Sequence, residues 1–164
     1  IYAGVHERDI GGSKAKDVKT IRIIAIDVDS IHPVNQAANK QELERCKKEV
    51  FLMIDGLALK YGRPNIIMTG NGYQLLWKIR PINVNDDNRL TIENKLKKFI
   101  TNLQKKYDSD SMKIDQIGDL PRILKVAGTM SVKGTNTKER PFRESHFVEY
   151  YNELSENIRE ELCI

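Results

Sequence analysis

Asp27-Val28-Asp29 closes a β-branched run, and two acids one residue apart could do chemistry there. Strand alternation points both carboxylates to one side, close enough to share hard cations through oxygen. Two like charges so placed repel unless something positive compensates. The plainer alternative is that Asp29-Ser30 only opens a turn or caps the next segment. A third acid, Asp115 in Lys113-Ile114-Asp115-Gln116, sits on another short strand-like stretch and would complete a three-carboxylate cluster; alone it is an ordinary loop acid.

Two further stretches suit an anionic ligand. Thr69-Gly70-Asn71-Gly72-Tyr73 places glycines where the backbone turns or closely approaches something. Gln74 then emerges at a strand start, able to donate and accept hydrogen bonds. Asp119-Leu120-Pro121-Arg122-Ile123-Leu124-Lys125-Val126-Ala127-Gly128-Thr129 carries two cations ahead of a glycine, Arg able to grip phosphate bidentately and Lys acting as a point charge. Equally, Arg122 and Lys125 could be solvated charges on a short helix.

The elements that must position these residues emerge from periodicity. Residues 21 to 28 have the composition of a central strand buried on both faces. Leu43, Cys46, Val50, Met53, Ile54 and Leu57 recur at helical steps within a predicted helix from Gln36 to Tyr61, closed by Gly62 and Pro64. Ile66 to Met68 and Leu75 to Ile79 read as a hairpin whose Asn71-Gly72 supplies the positive backbone angles. A second helix is predicted from Asp87 to Tyr107, capped by Asp86 or Asp87. Short strands are expected at Lys113 to Gln116 and Phe142 to Tyr150. The order is that of an α+β fold, a mixed sheet with flanking helices in a ferredoxin-like layout.

With 164 residues, 40% hydrophobic and 30% charged, the chain can bury one core. The apolar run Ile23 to Ile26 is too short to span a bilayer, and no signal-peptide pattern precedes it, so a cytoplasmic location and no membrane partner are expected. Cys46 and Cys163 lack zinc or disulfide spacing. The start at Ile1 and the helical pattern from Glu153 to Ile164 suggest a piece of something longer. Net charge is +4 with a pI of about 9.0, which favours anionic partners. Lys125, Lys133, Lys138, Arg140 and Arg143 cluster after residue 120, either as a binding surface or as a solvated basic face.

In order and spacing, Asp27-Val28-Asp29, Thr69 to Trp77, Ile114-Asp115 and Arg122 to Thr129 resemble the archaeo-eukaryotic primase superfamily, particularly primase-polymerase domains of phages, plasmids and mobile elements. The opening Ile1 to Val5 with Arg8 looks like the strand and arginine that precede the first acids in that family. The resemblance covers about Ile1 to Arg143. It implies a catalytic core over 1–150 with an RRM/ferredoxin-like fold, and a helical segment over 151–164 leading into a further part.

The resemblance also implies template-dependent nucleotidyl transfer. Asp27, Asp29 and Asp115 would hold two divalent cations, Mg²⁺ or Mn²⁺. Gly72, Gln74, Arg122 and Lys125 would hold the nucleoside triphosphate, and a single-stranded DNA template with its primer would run over Lys133, Lys138 and Arg140 by phosphate contacts. A helicase or accessory domain would be a compatible partner. One departure stands out: the family's second motif ends in histidine where this chain has Gln74. Glutamine still donates a hydrogen bond but cannot become a cation, which implies altered nucleotide binding or weaker polymerisation. On the resemblance alone, Gln74→His should preserve or raise activity. A non-catalytic nucleotide-binding or nucleic-acid-binding module is the main alternative; a metal-dependent nuclease fits the glycine hairpin and the Arg-Lys stretch less well.

Overall fold

The computed structural model describes residues 1–162, so Cys163 and the last expected helical position, Ile164, lie outside it. In chain order the elements are β1 (Tyr2–Gly4), β2 (Glu7–Arg8), a 3₁₀ turn at Ala15–Asp17, β3 (Val18–Ser30), α1 (Lys40–Tyr61), β4 (Asn65–Met68), β5 (Gly72–Asn83), α2 (Arg89–Tyr107), β6 (Met112–Ile114), β7 (Ile123–Lys125), β8 (Met130–Ser131), β9 (Arg143–Glu144), β10 (His146–Glu149) and α3 (Glu156–Glu160). The main sheet runs β10-β4-β5-β3-β2, with β6 pairing the far end of β3.

The α+β class holds, but every pairing among the described residues is antiparallel, so the sheet is not mixed. The apolar run in β3 reads as a central strand buried on both faces. Here an antiparallel strand is covered twice. On one face Val28, Ile26 and Ile24 stand opposite Tyr73, Leu75 and Trp77. This face meets the helices: Tyr73 packs edge-on against Phe51 of α1, and Trp77 Nε1 donates to the Gly62 carbonyl at the end of that helix (2.9 Å). On the other face, Ala25, Asp27 and Asp29 alternate with those core residues, and a two-stranded ribbon of β1 and β7 lies across them.

Local chemistry moved both helix starts. The first helix begins at Lys40, not Gln36, because Asn39 and Glu42 form a reciprocal cap: Asn39 Oδ1 accepts from Glu42 N (2.9 Å) and Glu42 Oε2 accepts from Asn39 N (2.7 Å). The second begins at Arg89, and neither Asp86 nor Asp87 caps it. Asn88 precedes it without a side-chain cap, its Oδ1 accepting from Asn85 N, while Asp86 is ion-paired to Arg89.

The predicted strand 142–150 is broken in two by Ser145, and β7, read from sequence as a phosphate-binding stretch or short helix, is a strand. Ile158 of α3 and Leu162 are fully buried in the same core as β3 and α1, so residues 151–162 pack on the body of the fold. Among the described residues no helix is long and apolar enough to cross a membrane.

Candidate active site

The acid-bearing face is built by register. Asp27 stands opposite Gln74 and Asp29 opposite Gly72 on β5, while Val28 pairs with Ile114 on β6. One residue beyond β6, the Asp115 amide donates to the Asp27 carbonyl (2.8 Å). That bond delivers the third acid to the first two. Asp27, Asp29, Asp115, Gln74, Lys125 and Lys133 all line one cavity of about 490 Å³, within the size range of small-molecule sites.

Electrostatics reflect the crowding of charge. Asp27 is pushed up to about 7, first by burial and then by Asp29 and Asp115, with Arg122 and Gln74 pulling the other way. Asp29 is also raised, by burial and then by Asp115, against Lys133 and His32. For both carboxylates burial and mutual repulsion outweigh the positive charges nearby.

The expected nucleotide-binding residues divide. Gly72 sits beneath the acids: a Cβ there would lie 2.0 Å from the Val28 carbonyl oxygen. Its missing side chain lets β5 approach β3 and opens no space for a ligand. The turn's positive backbone angle falls on Gly70 (φ 104°), not on Asn71-Gly72. Asn71 instead ties the wall together, its Oδ1 accepting from Ala38 N (2.8 Å) and its Nδ2 donating to Ser131 Oγ (3.2 Å).

Gln74 is buried, and with its amide oriented to satisfy both ends it donates to the Lys125 carbonyl and accepts from the Lys125 amide, each at 3.2 Å. It pins β7 across the sheet. Lys125 lines the cavity, its Nζ donating to the Met130 carbonyl (2.9 Å) and lying over the Tyr2 ring. Arg122 is outside the cavity lining, its guanidinium gripping Asp119 Oδ1 (2.6 and 2.9 Å) and the Gln116 carbonyl.

The three cations expected to hold a nucleic acid do not form one surface. Arg140 is engaged by Glu42 through two bonds of 2.8 Å and by the Ala37 carbonyl, so it anchors the start of α1. Lys138 borders a separate groove with Lys40, Lys47 and Arg143. Lys133 belongs to the acid cavity.

Sequence reasoning passed over His32, three residues after Asp29. Its Nδ1 lies 2.6 Å from the Ser30 carbonyl, so Nδ1 carries the proton and Nε2 accepts from Lys133 Nζ (3.1 Å). The only sequence signal for it was proximity to the acidic pair.

Three carboxylates supply the oxygen donors a hard divalent cation takes, and a cation among them would relieve the crowding that raises Asp27 and Asp29. The donor chemistry therefore fits Mg²⁺ or Mn²⁺. Among the described residues, however, no three His, Cys, Asp or Glu side chains stand together at coordinating spacing. Compared with protein-family models, curated proteins and solved structures, the chain finds no match in any of the three.

Proposed function

We propose that this chain is a metal-dependent nucleotidyltransferase of the primase-polymerase kind, extending a nucleic-acid 3′-end from nucleoside triphosphates. The observation that carries the reading is the convergence of Asp27 and Asp29, from one strand, with Asp115, from a distant segment, on one cavity that also holds Lys125 and Lys133. The reaction joins a 3′-oxygen to the α-phosphorus as the α–β bridge breaks and pyrophosphate leaves. Asp27, Asp29 and Asp115 would hold Mg²⁺ or Mn²⁺, which when bound supplies Lewis-acid stabilisation of the charge developing on the phosphoryl group.

The chain's own residues set the stage. Lys133, held by His32, and Lys125, held by Met130, place two positive charges at the cavity wall where a triphosphate would lie. Gln74 fixes the height of β7 over the sheet and so the position of Lys125. The decisive experiment is primer extension on a single-stranded template with Mg²⁺ or Mn²⁺. Undiminished extension by a folded Asp27→Asn, Asp29→Asn protein would sink the catalytic reading.

A second reading, a nucleotide-binding or nucleic-acid-binding module without turnover, draws support from Gln74 and Arg122. Both are engaged by the protein itself at positions where the resemblance expects ligand contacts. Metal-dependent nucleotide binding by calorimetry without any extension product would favour it.

A further inference from the structure

The chain's basic character is concentrated on one helix. The second helix carries six cations and one carboxylate, a net +5, against +4 for all 164 residues. Everything else in the molecule therefore sums to −1. The first helix, of similar length, carries five cations and four acids.

The charge lies outward. Ile92, Leu96, Phe99, Ile100 and Leu103 face the core, leaving Lys97, Lys98, Lys105 and Lys106 exposed. Interleaved with them are Asn94, Thr101 and Asn102, and no acid. Glu93, the helix's one carboxylate, is turned away to accept the Leu120 amide (3.1 Å). Among the described residues none of these four lysines pairs with a carboxylate. Lys98 and Lys105 are seven residues apart, roughly 10 Å along the axis, so the face is a track and not a point.

The loop that follows Asp115 ties this helix to the candidate active site. Gln116, next to Asp115, donates from Nε2 to Thr101 Oγ1 (3.0 Å) and to the Lys97 carbonyl (3.3 Å), and Gly118 packs against the Lys97 backbone so closely that a Cβ there would meet it at 2.7 Å. The loop that presents the third acid thus rests on the helix that presents the lysines.

We infer that the outward face of α2 binds the sugar-phosphate backbone of a nucleic-acid strand, in a sequence-independent manner, and leads that strand past the acid cavity. Lysines with amide and hydroxyl side chains between them suit phosphate oxygens and offer no fixed reader of base edges. This surface differs from the one expected at Lys133, Lys138 and Arg140. The inference rests on the nucleotidyl-transfer reading for why a strand should pass there, and its test is binding without turnover, so the two can fail separately.

The test is fluorescence anisotropy of labelled single-stranded and duplex DNA across a salt series. It compares the chain with a Lys97→Gln, Lys98→Gln, Lys105→Gln, Lys106→Gln variant, and with a control losing the same charge from α1 (Lys40→Gln, Arg45→Gln, Lys47→Gln, Lys48→Gln). The α2 variant should lose about 10- to 100-fold in affinity at low salt, with a log-log salt slope shallower by about 3; the control should keep the slope. Equal losses in both variants would reduce the effect to net charge and overturn the inference, as would no loss in the α2 variant. Retained DNA binding with lost binding to phosphatidylserine vesicles would overturn it in favour of a membrane surface. A measurement on the unmodified chain guards against misfolding: bound DNA should protect the α2 lysines from acetylation, and unchanged labelling would also refute the assignment.

Discussion

The acid cavity and the outer face of α2 each gather like charges, and they are built in opposite ways. In the cavity, like charges are forced together under partial burial, opposite a backbone so close that only glycine fits at position 72. On α2, like charges are spread along an exposed helix where water screens them and each costs little. The difference teaches that a high local charge is informative when the fold works to hold it. Asp27 is held against its own desolvation, whereas the lysines gain meaning only from position, beside the loop that carries Asp115.

The largest effect that would break this contrast is catalytic. The Asp27→Asn, Asp29→Asn pair should lower primer extension on the order of a thousandfold or more, since the charge stabilisation it anchors is worth several kcal/mol. Next is stability. Because Asp27 in the folded chain holds its proton up to about pH 7, the folded state binds protons more tightly than the unfolded one, and stability falls as pH rises from about 4 to 7. Asp27→Asn should therefore stabilise the protein by roughly 2–4 kcal/mol at pH 8, with the gain shrinking toward pH 4. Melting scans at both pH values check this, and Mn²⁺ at pH 8 should raise the melting temperature of the unmodified chain but not of the double variant.

Smaller again is Gly72→Ala, whose Cβ meets the Val28 carbonyl; overpacking at that crossing should cost about 1–3 kcal/mol in chemical denaturation. Smallest is the stability change of the four α2 lysine substitutions, within about 0.5 kcal/mol, although DNA affinity falls. A large loss of stability there would mean the lysines hold the fold and not a ligand.

Much of this was legible in the chain. The β-branched run before Asp27 and the spacing of Cys46, Val50, Met53 and Leu57 gave β3 and the buried face of α1, because burial imposes period. The ribbon of β1 and β7 was harder: a three-residue strand has no period to read, and its place is set by Gln74 reaching the backbone of Lys125. That contact also recasts the departure at position 74. The two ends of its amide meet the N–H and C=O of one residue side by side, a pairing that an imidazole, whose two nitrogens point apart, matches poorly, so the gain expected for Gln74→His should not appear. Arg140 looked like a surface cation because its partner, Glu42, is 98 residues away in sequence. His32 was visible but had no meaning until Lys133 stood beside it.

The three-residue pairing of β6 with β3 has a consequence for how this chain can vary. A slip of one residue would exchange Ile114 and Asp115 between core and cavity. Asp108 Oδ1 accepting the Ile114 amide (2.8 Å), and the Ser109 amide donating to the Met112 carbonyl (3.0 Å), set that register from the short link after α2. In descendants of this sequence, the link from Asp108 to Ser111 should therefore tolerate exchange of its other residues more readily than a change in its length, since a single insertion there would remove an acid from the site without touching any acidic codon.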